Sequence, residues 1–374
     1  MAADPAGSTF PEPLPLEPTP ASAVLPKLYP QTWLFVSDFN APSIIDGRIA
    51  IVDLASDTRN LRGQIRAAQW AEMAMSKSRN EIYVAETFYS RLTRGDRTDA
   101  IAIYDPETLR QTGEIVLPGG KRYQVMLQPN AFQLTGDERR ALVFNFTPAA
   151  SVTVVDMVGR KVLNEIGVPG CSLVYPMGEG GFFTLCADGG LSAFTLDEKA
   201  GIARRQDVAS FNDIDRDPMF MIPARVAGTW YFATFQGEIR PIIASGDEVK
   251  VEPAFSVLND ADSKEGWKPS GWQIIAADDH GRLYLLMRKD SHEGNHKDGG
   301  TRVLVIDSKT HARLADYPLR VQSISISATH GESPLLAATA ATGGIDVYDA
   351  VTGRHLRSLG ANIVNTPVIM AGAR

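Results

Sequence analysis

Cysteine is almost absent: Cys171 and Cys186 are the two in 374 residues. That excludes a disulfide-dense secreted scaffold and a thiolate metal cluster, both of which need more sulfur. No apolar run reaches the length of a transmembrane helix, so no span of that kind is expected. Basic charge is also short. Lys+Arg 37 against Asp+Glu 44 gives a net charge of -7, which leaves no cationic stripe for nucleic acid or an anionic membrane. The densest basic stretch, Arg91 to Arg97, is broken by Asp96 and followed by Asp99. Six histidines are scattered, and His292 and His296 sit in the polar, Gly-rich stretch KDSHEGNHKDGG with no further ligand at metal spacing. No metal site is expected. GxSxG, P-loop and strand-linked GxGxxG motifs are all missing. The residues by themselves assemble no catalytic set.

What is present is a repeat. Seven short apolar runs each end in an aspartate that opens a turn: Asp53, Asp105, Asp156, Asp197, Asp247, Asp307 and Asp349. Successive gaps are 52, 51, 41, 50, 60 and 42 residues, the period of a β-propeller blade. Each unit reads as strand, turn, strand, and one such sheet cannot cover both of its own faces. The expected fold is therefore all-β, a seven-bladed β-propeller. With 32 glycines, 23 prolines and 44% hydrophobic residues, the chain has the turns and the core it needs.

Residues 1–30 differ from the rest. They carry eight prolines and little apolar periodicity, and read as a Pro-rich N-terminal arm ahead of a single propeller domain at 31–374. A disordered tail is one reading; interleaved Phe10, Leu14, Leu16, Leu25 and Leu28 leave open an arm laid along a partner. The N-terminus lacks an apolar core after a basic start, so no intact signal peptide is expected, although an exported protein in mature form reads the same way. Cys171 and Cys186 flank SLVYPMGEGGFFTL, two strands joined at Met177–Gly181. A hairpin brings its ends together, so the pair can meet at bonding distance in an oxidising compartment; two buried thiols are the alternative.

The segment YVAETFYSRLTRGDRTDAIAIYDPETLRQTGEIVLP, residues 83–118, resembles the large subunit of quinoprotein amine dehydrogenases. PGCSLVYPMGEGGFFTLCADGG, SGDEVKVEPAFSVLNDADSKEGWKPSGWQ, GRLYLLMRKDSHEGNHKD and LVIDSKTHARLA follow in the family's order. Within the family the segments look closer to aromatic amine dehydrogenase than to methylamine dehydrogenase. The resemblance covers most of the chain after about residue 30 and implies a seven-bladed propeller with one disulfide, at Cys171 and Cys186. It implies a division of labour as well. The large (heavy, alpha) subunit holds no redox cofactor, while a small, cysteine-rich partner carries tryptophan tryptophylquinone and the catalytic base. Two large and two small subunits would oxidise primary amines to aldehyde and ammonia, passing electrons to a blue copper protein in the periplasm. The large subunit would cover the quinone and shape the amine channel.

One position departs from the family. Where a channel-facing phenylalanine is expected, this chain has Gln69 followed by Trp70. Either Trp70 replaces that aromatic wall or the channel takes a more polar amine; a plain turn with a packed tryptophan is the structural alternative. Arg91, Arg94, Asp96 and Arg97 are assigned to the subunit interface or to bracing of their loop. Trp267 and Trp272 read as interface anchors or core aromatics. Two other classes stay open: a stand-alone propeller scaffold that binds proteins, and a self-sufficient propeller enzyme, which would need convergent acidic or histidine residues at the central channel.

Overall fold

A computed structural model describes residues 24–43, 45–68, 70–340, 343–360 and 363–373. It is an all-β propeller, with one short α-helix, Asp260–Lys264, among the described residues. Asn259 caps that helix by accepting from the Asp262 amide at 2.8 Å, and Asp262 answers on the Asn259 amide.

The strands form because short apolar runs alternate with turn chemistry. Gly47–Asp53, Glu81–Arg91 and Ser151–Asp156 each hold at least five consecutive buried residues, as expected of sheets covered on both faces. The repeated aspartates act as turn caps. Asp105 Oδ1 accepts from the Thr108 amide at 2.7 Å, Asp156 Oδ1 from Val158 and Gly159 at 3.0 and 2.9 Å, and Asp349 Oδ1 from Val351 and Thr352 at 3.1 and 2.8 Å. Asp53, Asp197 and Asp307 do the same. These are Asx turns. Asp247 differs: its turn is carried by Gly246 at φ 58 between Glu238–Ser245 and Glu248–Val251.

Five sheets stand alone as blades. The first pairs Trp33–Asp38, Gly47–Asp53 and Leu61–Ala67 with the C-terminal strand Pro367–Gly372, which closes the ring. The second runs Glu72–Ser76, Glu81–Arg91, Arg94–Tyr104 and Gln111–Leu117; the third spans Phe132 to Gly167, the fourth Cys171 to Val208, and the fifth Ala224 to Ser256. The expectation of seven separate blades is corrected here, because the remaining strands form one eight-stranded sheet. The cause is Arg313–Ala328, 16 residues long. Its first half pairs with Gly300–Asp307 and its second half with Leu335–Ala340.

Most of the expected arm, residues 1–23, lies outside the described residues. Ordered packing begins before the expected boundary at 30: the Leu25 amide donates to Glu107 O at 2.9 Å, and buried Tyr29 packs beside Trp33 and Phe35. Cys171 and Cys186 face each other across a hairpin and are bonded. The separation of 15 residues makes the chain-entropy contribution about 3 kcal/mol. Cys171→Ser/Cys186→Ser should lose stability of that size in urea unfolding, and an unchanged midpoint would show that the bond constrains nothing.

Candidate functional site

Residues far apart in sequence converge at one end of the ring axis. Buried Leu127, Ile222, Val368 and Ile369 form a cluster against which half-buried Phe39, Trp70 and Trp272 pack. Val368 and Ile369 lie in the strand that closes the first blade, whereas Phe39, Trp70, Leu127, Ile222 and Trp272 lie in segments between strands at different points around the ring, and non-neighbouring blades approach one another only around the axis. Trp70 stacks on Phe39 with ring centroids 5.2 Å apart at 22°. Trp272 Nε1 donates to Leu127 O at 2.9 Å. Trp272 also lines a neighbouring cavity of about 810 Å³, together with Phe220, Phe235, His296 and Lys268. The Lys268 ammonium lies 4.6 Å from the Phe235 ring centre, and Lys297 lies 5.6 Å from that of Trp272.

A charged network lies beneath this mouth. Arg122, 2% exposed, is the largest fully buried side chain among the described residues. Its Nη1 donates to Trp70 O at 2.9 Å and to Glu72 Oε2, while Nε and Nη2 donate to Thr87 Oγ1 at 3.1 and 2.9 Å. The Arg122 amide donates to Asp99 Oδ2 at 3.0 Å. Burial pushes the Glu72 carboxyl up to about 8 against the pull of the Arg122 guanidinium, and Glu72 Oε1 finds no hydrogen-bond partner among the described residues. Burial also raises Glu86 to about 7, although its Oε2 accepts from the Ala68 amide at 2.8 Å.

A carboxyl raised in the fold is neutral there and more easily ionised when unfolded, so it loses stability as pH rises through that interval. For Glu86 the interval runs from its ordinary value of 4.5 to about 7. Glu86→Gln should therefore flatten the stability profile between those values and stabilise the chain above them, on the order of 2 kcal/mol. Urea midpoints measured across that range test it; an unchanged slope would place Glu86 in water.

The second blade also projects. Glu72 pairs with Ala85, so residues 86–99 run past the start of the blade's first strand, beyond Trp70. The tip, where Arg91 pairs with Arg94, exposes Phe88 and Leu92; the Tyr89 hydroxyl donates to Gln124 Oε1 at 3.2 Å, beside exposed Val125, and exposed Phe146 sits edge-on to Tyr123. The four residues assigned from sequence divide. Arg97 is a brace: Nε and Nη2 grip Asp99 at 2.9 and 3.1 Å, and Nη2 donates to Arg122 O at 2.6 Å. Arg91, Arg94 and Asp96 are exposed and form no ion pair among the described residues.

Of the other expected positions, Gln69 lies outside the described residues. Trp272 joins Trp70 at the mouth, whereas Trp267 packs on the core beside Arg302, whose guanidinium carbon is 4.9 Å from the ring centre. His292 hydrogen-bonds within its loop and His296 sits edge-on to Phe220 and Phe235. No group of three metal-ligating side chains is found among the described residues, and no described helix is long and apolar enough to cross a membrane. Sequence reasoning missed Phe39, Glu72, Glu86, Thr87, Asp99 and Arg122. A signal existed for one of them: Glu86 interrupts the apolar strand YVAETF.

Solved structures share this fold. Dihydro-heme d1 dehydrogenase NirN matches with TM-score 0.55 and 16% identity, over 96% of this chain and 79% of that one. A functionally unknown protein from Desulfotomaculum acetoxidans DSM 771 matches with TM-score 0.59 and 10% identity, over 91% of this chain and 98% of that one. At such identities the likeness shows the fold alone. Sequence comparison is more specific. The methylamine dehydrogenase heavy chain from Methylorubrum extorquens is 28% identical over 99% of this chain and 88% of its own length. That from Paracoccus versutus is 30% identical over 74% of this chain and 65% of its own length. The family profile described as methylamine dehydrogenase heavy chain (MADH) matches residues 38–373, and the chain belongs to that family.

Proposed function

We propose that the chain is the large, cofactor-free subunit of a periplasmic quinoprotein amine dehydrogenase that oxidises primary, aromatic amines to aldehyde and ammonia. The family match across residues 38–373 carries this reading. Tryptophan tryptophylquinone on a small partner subunit would supply the two-electron oxidation, and electrons would leave to a blue copper protein. Two large and two small subunits make up the complex. The work of this chain is to bind, orient and exclude water. Phe39, Trp70 and Trp272 offer a half-buried apolar rim that suits covering such a centre. Trp70, which Gln69 precedes in sequence, forms the wall against which the remote part of the amine rests, and an aromatic wall favours aryl amines. Glu72 and Glu86 are tied to Arg122 and the Ala68 amide, so neither is offered to the substrate. The projecting hairpin, with exposed Phe88 and Leu92 and cationic Arg91 and Arg94, is the surface for the partner subunit.

The propeller counts as seven blades in this reading. The eight-stranded sheet is two blades sharing Arg313–Ala328, and it holds two of the repeated aspartate turns, Asp307 and Asp349. A second reading, a stand-alone scaffold, is favoured by the same exposed apolar hairpin. The two separate on activity. Purified alone and assayed with a dye acceptor, the chain should turn over no amine, and adding the small subunit should restore oxidation. Turnover by the chain alone, or none in the assembled pair, would overturn the proposal.

A further inference from the structure

Trp70 holds φ 55, a left-handed conformation that is unfavourable for a bulky residue unless its surroundings impose it. Two contacts do so here. The ring stacks on Phe39, and the carbonyl accepts from Arg122 Nη1 at 2.9 Å. Arg122 is itself fixed before it reaches Trp70. Glu72 and Thr87 grip the guanidinium, Asp99 holds the backbone amide, and Arg97 holds the carbonyl. An apolar pair would fill the same buried space without the desolvation cost of a charge. Packing alone therefore does not call for an arginine here, whereas reaching from the edge of the third blade, where Arg122 bridges Asn145, to the main-chain carbonyl just before the second blade does.

We propose that Arg122 is the positioning residue for Trp70. By holding the Trp70 carbonyl in the left-handed turn, it sets the indole against Phe39 and so fixes the width of the amine entrance. Arg97 and Asp99 tie that setting to the base of the projecting hairpin. The inference rests on the reading of Trp70 as the channel wall, and its test separates the two.

The complete complex is assayed with amines from methylamine to tryptamine, comparing Trp70→Ala, Arg122→Lys and Glu72→Met/Arg122→Met. The double variant leaves no orphaned charge; Thr87→Val, which removes the hydroxyl that Nε and Nη2 share, serves if it fails to fold. In parallel, acrylamide quenching of tryptophan emission is measured in the full chain, with Trp70→Phe isolating the share of Trp70. Losing the clamp should raise KM for tryptamine by roughly tenfold while kcat and the methylamine constants stay within about twofold. Trp70 should become more quenchable, and Arg122→Lys should fall between the parent and the double variant. Unchanged quenching, together with tryptamine KM unchanged in folded Arg122 variants while Trp70→Ala alters it, would overturn the proposal. If Trp70→Ala leaves selectivity unchanged, the channel reading fails, and the quenching result alone decides whether Arg122 positions Trp70.

Discussion

Arg122→Met should cost the chain about 3–5 kcal/mol, the range for breaking a buried ion pair from one side. The loss has identifiable parts. Glu72 keeps an uncompensated buried carboxyl, Trp70 O loses the donor that holds its left-handed turn, and Thr87 Oγ1 loses both of its guanidinium contacts. The Glu72 carboxyl, already pushed up to about 8 by burial, should then bind its proton still more tightly. Glu72→Met/Arg122→Met should recover much of the loss, since two apolar side chains replace a buried guanidinium and a buried carboxyl. Urea unfolding with an unchanged slope is the measurement. A single-variant cost below about 1 kcal/mol would be that of an exposed pair and would contradict the burial of this network.

Trp70→Ala should lower kcat/KM for bulky aryl amines by about 1–3 kcal/mol, expressed in KM rather than kcat. The indole is a wall for the distant part of the substrate and does not reach the reacting bond, so the chemical step should be nearly untouched. Methylamine, too small to reach the wall, should lose little. Phe39 should keep its own place against the cluster, so the variant should still assemble. Gln69→Phe, which restores the residue type of relatives, should shift preference in the assembled complex without loss of stability. Equal losses for methylamine and tryptamine, or none for either, would return Trp70 to a packed turn residue.

The propeller was legible because its signal is periodic and local. An apolar run ending in an Asx turn recurs at blade spacing, and the turn chemistry that makes it visible at Asp105, Asp156 and Asp349 is the same that ends the strand. The fusion of the last strands was not legible. Arg313–Ala328 passes from one pairing partner to the next through Leu319, Arg320, Val321 and Gln322, none of which is a turn residue. Trp70 could be found because a large aromatic stands beside a family position. Arg122 could not, because an arginine in GGKRYQ reads as solvated until the chain folds over it. Its partners Glu72, Thr87 and Asp99 lie 50, 35 and 23 residues away. Long-range satisfaction of one buried charge leaves no local pattern, whereas Glu86 within an apolar strand does. The separation of Trp272 from Trp267 likewise depends on packing: one turns to the axis and the other to the core beside Arg302.

Native purification followed by intact-mass measurement under non-denaturing conditions tests the central claim most directly. The expected result is a coloured complex of two copies of this chain with two copies of a small, cysteine-rich chain that carries the chromophore. A colourless species containing this chain alone, active or inactive, would contradict it.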